Sequence, residues 1–327
     1  MSTVNTIRGP IDSADLGRTL SHEHLTGGAA AMERVRPPIY DEDEAVRRAV
    51  QALGRAKAAG VDSMIDLTPL DLGRQASLFQ RVAEADTGVH IVCATGVYRW
   101  VPFYLFRRDI DEVASIFLHD IEHGIDGTNI RAGIIKIAWD VEYRMTAEGP
   151  AGEGMVRAGL ERTARAAARA AKAGGVPVSC HTNAADELGT PLMAIFEDEG
   201  VDPAMVTIGH TNDSHNFAYI EGIAKRGFNV GLDRFSAARG EEEIARRAQI
   251  ALDLAKAGYA GQTSLGHDAS PYYRFTSNVP DAPDCWTAVS TIEVPWLLAH
   301  GATEADVASM QVGSIRRTFE AAAKAKG

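Results

Sequence analysis

The sequence predicts a single closed (β/α)8 barrel spanning residues 1–327, α/β in class, and three observations carry that prediction. Eight short apolar, β-rich runs recur along the chain. Amphipathic segments rich in Ala, Arg and Glu separate them. Glycines close those segments or precede the next run, as helix C-caps do. Apolar strands alternating with helices imply a parallel sheet buried on both faces. Eight such units favour closure into a barrel over an open doubly wound sheet.

Residues 4–11 read as a short N-terminal strand or hairpin leading in. The eight runs then fall at 19–25, 63–68, 91–95, 134–138, 178–181, 206–210, 229–232 and 263–268. Helical stretches fall at 43–59, 110–123, 154–173 and 241–256, among others. Gly60, Gly88, Gly133, Gly174, Gly175, Gly200, Gly227 and Gly261 punctuate the alternation. No glycine fingerprint for a dinucleotide follows the first run, and no phosphate-binding GxxxxGK[ST] occurs.

Net charge is -11, which argues against nucleic acid as a partner, because phosphates would be repelled. The three cysteines, Cys93, Cys180 and Cys285, are far apart and form no CxxC pair. They predict neither a disulfide framework nor a thiolate zinc site, and they suit a reduced cytoplasm. Met1-Ser2-Thr3-Val4-Asn5 has no basic patch followed by an apolar stretch, so no signal peptide is expected. No run is long enough to span a bilayer, and no membrane partner is expected.

Active sites of such barrels gather at the C-terminal ends of the strands. His22 and His24 stand two apart at the end of the first run, so both imidazoles face one side of a strand. Lys136 lies on the fourth run, and His181 ends the fifth, His210 the sixth and Asp268 the eighth. Each alone has an ordinary explanation as a capping or core residue. Lys136, set among Gly133, Ile134, Ile135 and Ile137, is harder to explain, because burying an ammonium is costly unless it is paired or modified. A metal centre accounts for all six together.

Several stretches resemble the amidohydrolase superfamily, and within it the phosphotriesterase-like lactonases. They include Leu16-Gly17-Arg18-Thr19-Leu20-Ser21-His22-Glu23-His24-Leu25, Thr95-Gly96-Val97-Tyr98, Ala132-Gly133-Ile134-Ile135-Lys136, Pro177-Val178-Ser179-Cys180-His181-Thr182, Ile208-Gly209-His210, Gly231-Leu232-Asp233-Arg234 and His267-Asp268. The resemblance implies a two-metal hydrolase, with zinc first and cobalt, iron or manganese as alternatives. His22, His24 and Asp268 would bind the buried ion, and His181 and His210 the more exposed one. Lys136 would be N6-carboxylated and bridge both. A bridging hydroxide would be the nucleophile, with Asp268 shuttling its proton.

Tyr98 and Arg234 match the lactonase branch of that resemblance. The expected substrate is therefore a small lactone or ester, with weak phosphotriester hydrolysis as a side activity. A primary phosphotriesterase is the alternative enzyme. A barrel that binds a ligand without turning it over is the alternative of another class. Asp233 is expected either to pair with Arg234 or to support the metal site. Trp139, directly after the Lys136 run, is expected to narrow the cavity. His215 and Asn216, the stretch Ser270-Pro271-Tyr272-Tyr273-Arg274-Phe275 and Gly313-Ser314-Ile315-Arg316-Arg317 depart from the lactonase pattern. The resemblance implies that the aromatic stretch with Tyr98, Trp100, Phe103, Tyr104 and Phe106 lies near a homodimer interface, the other reading being that these rings roof the pocket.

Overall fold

A computed structural model describes residues 2–28, 40–99, 101–105, 108–140, 153–272 and 285–326. Trp100, Phe106 and Tyr273, Arg274 and Phe275 lie outside the described residues.

The chain opens with an antiparallel hairpin of β1 (Thr3–Thr6) and β2 (Gly9–Asp12). Eight strands follow: β3 (Thr19–Glu23), β4 (Ser63–Asp66), β5 (His90–Val97), β6 (Ile134–Trp139), β7 (Val178–Thr182), β8 (Val206–Ile208), β9 (Asn229–Leu232) and β10 (Thr263–Leu265). Each pairs parallel with the next in chain order. The ring closes by hydrogen bonds across the seam between β10 and β3. Ser21 Oγ donates to the Leu265 carbonyl at 2.9 Å, and Asp268 N–H donates to the His22 carbonyl at 3.0 Å. The expected barrel and its N-terminal hairpin are both present.

Helices cover the outside: α1 (Glu42–Ala58), α2 (Ala76–Glu84), α3 (Ile110–Glu122), α4 (Glu153–Gly174), α5 (Gly189–Asp198), α6 (Phe217–Lys225), α7 (Glu241–Lys256), α8 (Val294–Ala299), α9 (Glu304–Ala308) and α10 (Ser314–Ala325). Their ends follow local chemistry. Asp109 and Glu112 form a reciprocal capping box at the start of α3, satisfying two donors that the first turn leaves free.

The core has two parts. Strand residues that point outward pack against the helices, and Ile135, Ile137 and Trp139 of β6 belong to that layer. Inside the ring, at its N-terminal end, Val4, Leu16, Ile65, Leu67, Val92, Ala94, Ile134, Ile315 and Phe319 form an apolar plug. Ile315 and Phe319 come from α10, which therefore closes the bottom of the barrel. Polar chemistry is left to the opposite mouth.

Strand alternation corrects the expectation for Trp139. Side chains switch faces at every residue, so Lys136 points into the barrel while Trp139 points out. Trp139 is fully buried among the helix-facing residues and does not narrow the cavity.

Candidate metal centre

All six expected donors meet at the C-terminal mouth. His22 and His24 both face inward from the end of β3, with ring centroids 5.4 Å apart. The intervening Glu23 points the other way, where its buried carboxylate accepts from the backbone N–H of His267 at 2.9 Å and of Ala269 at 3.3 Å. It thereby fixes the loop that carries Asp268. Lys136 Nζ donates to His22 Nε2 at 2.9 Å. Asp268 Oδ1 lies 3.1 Å from His24 Nε2 and 3.5 Å from His22 Nε2, and Oδ2 lies 3.9 Å from His210 Nε2. The His22 and His210 rings stack at 5.0 Å, and His181 meets His210 edge-on at 4.5 Å. The tightest donor set among the described residues is His22, His210 and Asp268, with ligand atoms all within 4.8 Å of one another. That set cuts across the two groups the resemblance implied, so the donors form one compact cluster.

The backbone is bent to make it. His210 and Asp268 have positive φ, at 61° and 52°. Non-glycine residues adopt that region at a cost, and such strain concentrates at functional sites. It also explains why β8 and β10 end earlier than the apolar runs do. Two glycines allow the close approaches required. A Cβ on Gly96 would lie 2.0 Å from the Lys136 carbonyl oxygen. One on Gly209 would lie 2.9 Å from Asp233 Oδ2.

The outer nitrogen of each imidazole is already engaged. Asp233, fully buried, takes Nδ1 of His22 at 2.7 Å and Nδ1 of His210 at 2.8 Å. Both rings then present Nε2 lone pairs to the cavity. Thr68 Oγ1 meets His24 Nδ1 at 2.8 Å, where a hydroxyl can accept or donate. His181 is turned the other way. Its Nε2 donates to Asp140 Oδ2 at 2.7 Å, and its Nδ1 accepts from the Tyr98 hydroxyl at 3.0 Å. Carboxylates that accept from an imidazole N–H orient the ring and raise the basicity of its other nitrogen, whereas the Tyr98 hydroxyl covers the Nδ1 lone pair that His181 would offer an ion.

The electrostatics suit cation binding. Burial, followed by the charge of Lys136, lowers His22 to about 3. Burial, followed by His210, lowers His181 to about 3. Both are neutral at pH 7, as ligands must be. Burial opposes the charge on Asp233, but His210 and His22 hold it well below the usual carboxylate range. Asp268 behaves alike, with burial outweighed by His22, His24 and His210. Burial lowers Lys136 to about 8, which raises the share of free amine able to take up carbon dioxide. The donor set therefore fits divalent ions with imidazole and carboxylate ligands.

Tyr98 and Arg234 both reach the cluster. Burial, aided by the charge of Asp268, pushes the Tyr98 phenol upward, so it keeps its proton. Arg234 Nε donates to Asp268 Oδ2 at 3.1 Å, and its Nη1 donates to Asp213 Oδ2 at 2.6 Å. Asp233 meets the His22 and His210 imidazoles, and the loop partner of Arg234 is Asp213. Asp140, Thr68, Asp213 and Glu23 were not foreseen. Asp140 follows the Lys136 strand directly, which is the one positional signal that could have found it. Tyr104 is 58% exposed at the rim.

Asp233 supports two imidazoles at once, so its removal should act on metal binding before chemistry. Asp233→Asn is expected to weaken divalent-ion affinity by roughly 10–100-fold, because an amide cannot accept from both rings. Competition with a chromogenic chelator measures this, and unchanged affinity would remove Asp233 from the support of the site.

Comparison with known proteins agrees with this architecture. The sequence model of the Phosphotriesterase family matches residues 2–319. A phosphotriesterase homology protein of Mycobacterium tuberculosis is 38% identical over 337 aligned residues, covering 98% of each chain. An aryldialkylphosphatase of Saccharolobus solfataricus is 36% identical, over 92% of this chain and 94% of its own. An N-acetyltaurine hydrolase of Rattus norvegicus is 23% identical, over 92% of this chain and 93% of its own.

Proposed function

This chain belongs to the phosphotriesterase family of hydrolases, and from that premise we propose that it opens lactone rings in a metal-dependent reaction, with weaker hydrolysis of phosphotriesters. The observation that carries the proposal is the cluster of His22, His210 and Asp268 at one mouth, joined there by His24, Lys136 and His181, with the Tyr98 hydroxyl 3.0 Å from His181 Nδ1.

His22, His24 and Asp268 would hold one divalent ion, and His181 and His210 the second, with N6-carboxylated Lys136 shared between them. Zinc is the first choice, with cobalt, iron or manganese as alternatives. Bound there, two cations would acidify water and polarise the substrate's carbonyl or phosphoryl oxygen. The protein's own groups do the rest. Asp268, ionised and held by Arg234, accepts the proton of the attacking water and returns it to the leaving alkoxide. Tyr98, whose hydroxyl must leave His181 Nδ1 for that nitrogen to hold an ion, would then donate a hydrogen bond to the lactone ring oxygen as the ring C–O bond breaks. Asp233 and Asp140 keep the imidazoles turned and move no proton.

The likeness to an aryldialkylphosphatase favours one other reading, a primary phosphotriesterase. Rates on γ- and δ-lactones, acyl-homoserine lactones and a paraoxon-type phosphotriester separate the two. Lactones are expected to give the higher kcat/KM. A higher kcat/KM for the phosphotriester would reverse the order.

A further inference from the structure

Strand β5 outruns its neighbour on one side. It is eight residues long, whereas β4 has four and pairs with it only as far as Asp66 with Cys93. On the other side β6 follows it to its end, where Ile137 pairs with Val97. Backbone groups alternate between the two edges of a strand. The Cys93 carbonyl accepts from Gly133 on the β6 side, so the Ala94 carbonyl and the Tyr98 N–H lie on the edge that β4 has left. Such groups need acceptors and donors from elsewhere in the protein.

Two side chains of the loop between β4 and α2 stand in for the missing strand. Arg74 Nη1 donates to the Ala94 carbonyl at 3.4 Å and to Asp120 Oδ2 at 2.6 Å. Asp71, in the short 3-10 turn Leu70–Leu72, accepts from the Tyr98 N–H through Oδ1 at 2.7 Å. The turn is closed by the N–H groups of Leu72 and Arg74, which donate to the Pro69 carbonyl at 3.1 and 3.3 Å. Arg74 has Asp120 and Asp126 to answer its charge. Asp71 is half-buried, and no basic group among the described residues pairs with it. Burial raises it to about 6, opposed by the N–H groups of Tyr98 and of Asp71 itself, so at pH 7 it is mostly a carboxylate. A charge drawn partly out of water for one backbone bond opposes folding, and an uncharged acceptor would serve the bond alone. Where sequence and stability conflict in this way, a functional role is the usual reason.

That bond falls where the backbone meets a side chain that has to move. The Tyr98 hydroxyl lies 3.0 Å from His181 Nδ1 and must swing away when that nitrogen holds an ion. The phenol turns about its Cα–Cβ bond, so its reach depends on where the backbone of Tyr98 stands. We propose that Asp71 is a positioning residue: its carboxylate fixes the backbone of Tyr98 as the pivot from which the phenol reaches the lactone ring oxygen, and so favours lactones over phosphotriesters. The leaving groups differ in what they need. Ring opening releases an alkoxide, a strong base that gains from a hydrogen-bond donor as the C–O bond breaks. A paraoxon-type ester releases a nitrophenolate, which is stable as an anion and gains little. The inference rests on the role given to Tyr98 under the proposed function.

The test compares Asp71→Ala, Asp71→Asn, Tyr98→Phe and the double variant Asp71→Ala/Tyr98→Phe in metal-loaded protein. It reads kcat and KM on a δ-lactone and a paraoxon-type ester, with the crystal structure of each variant. For Asp71→Ala, kcat on the lactone should fall roughly tenfold, as misplacing a group near reacting atoms does. The loss on the phosphotriester should be clearly smaller, and the Tyr98 ring should be displaced. Asp71→Asn keeps an oxygen for the N–H and should restore most of the lactone kcat. In the Tyr98→Phe background, Asp71→Ala should cost the lactone reaction little more, because the two residues act as one unit. Equal losses on both substrates, additive losses in the double variant, or an undisplaced Tyr98 would overturn the proposal. Should Asp71→Ala not fold, Asp71→Leu, which keeps the volume without an acceptor, is judged by the same readouts. If the unmodified protein opens no lactone, the proposed function falls, while the place of Tyr98 in the Asp71→Ala structure still decides whether Asp71 positions it.

Discussion

Asp268→Asn is expected to lower kcat by roughly 10²–10⁴-fold, the usual range for losing a positioned general acid–base group. The change is isosteric, so the loss isolates charge and basicity from packing. In the native arrangement Oδ1 lies 3.1 Å from His24 Nε2, and Oδ2 accepts from Arg234 Nε at 3.1 Å. An amide can satisfy Arg234 through its oxygen, but its NH2 then faces the imidazole nitrogens and has no basic lone pair. KM should change less than kcat, because the proton moves only during reaction. Steady-state kinetics on the preferred substrate, with metal content measured on the same sample, check this. A loss below tenfold at full metal occupancy would leave Asp268 as a ligand alone.

Lys136→Ala is expected to be the second large effect. Lys136 is buried, and its one hydrogen bond among the described residues is to His22 Nε2 at 2.9 Å. An unmodified ammonium there gains little for the desolvation it suffers. A carboxylated amine would instead bring an anion between the two proposed ion positions. The alanine variant should lose at least one bound ion and about two orders of magnitude or more in rate. Propionate or another short carboxylate, filling the space that the side chain leaves, should restore part of both. Full activity without rescue would take Lys136 out of the centre.

Much of the fold is legible in the sequence because its signals are local. Each barrel strand is an apolar run, and each run ends near a residue that cannot be apolar. The ends themselves are less legible. The runs at 206–210 and 263–268 continue past the strands Val206–Ile208 and Thr263–Leu265. His210 and Asp268 leave the extended conformation there, and nothing in their side chains announces a left-handed backbone. Trp139 shows a different limit. Its nearness to Lys136 suggested a cavity wall, yet alternation along β6 puts it on the helix side. The plug formed by Ile315 and Phe319 is a contact between the chain's last helix and its barrel floor, which no local pattern encodes.

The site divides in the same way. The six donors are legible because each is a metal-capable group within or at the end of an apolar run. Their supports are not. Thr68 ends the run at 63–68 and Asp140 follows the Lys136 strand, but neither they nor Asp213 announce a partner, and only the packed structure brings them to imidazole or guanidinium groups. Asp233 could be narrowed to two roles but not assigned. The geometry decides it, since one carboxylate reaches both His22 and His210.

The central claim is that this cluster holds a pair of ions. Metal-free protein reconstituted with zinc, freed of excess and assayed by elemental analysis, tests it most directly. Two equivalents of zinc per chain are predicted. Protein that remains folded and retains no zinc, or any other added divalent ion, would contradict the account.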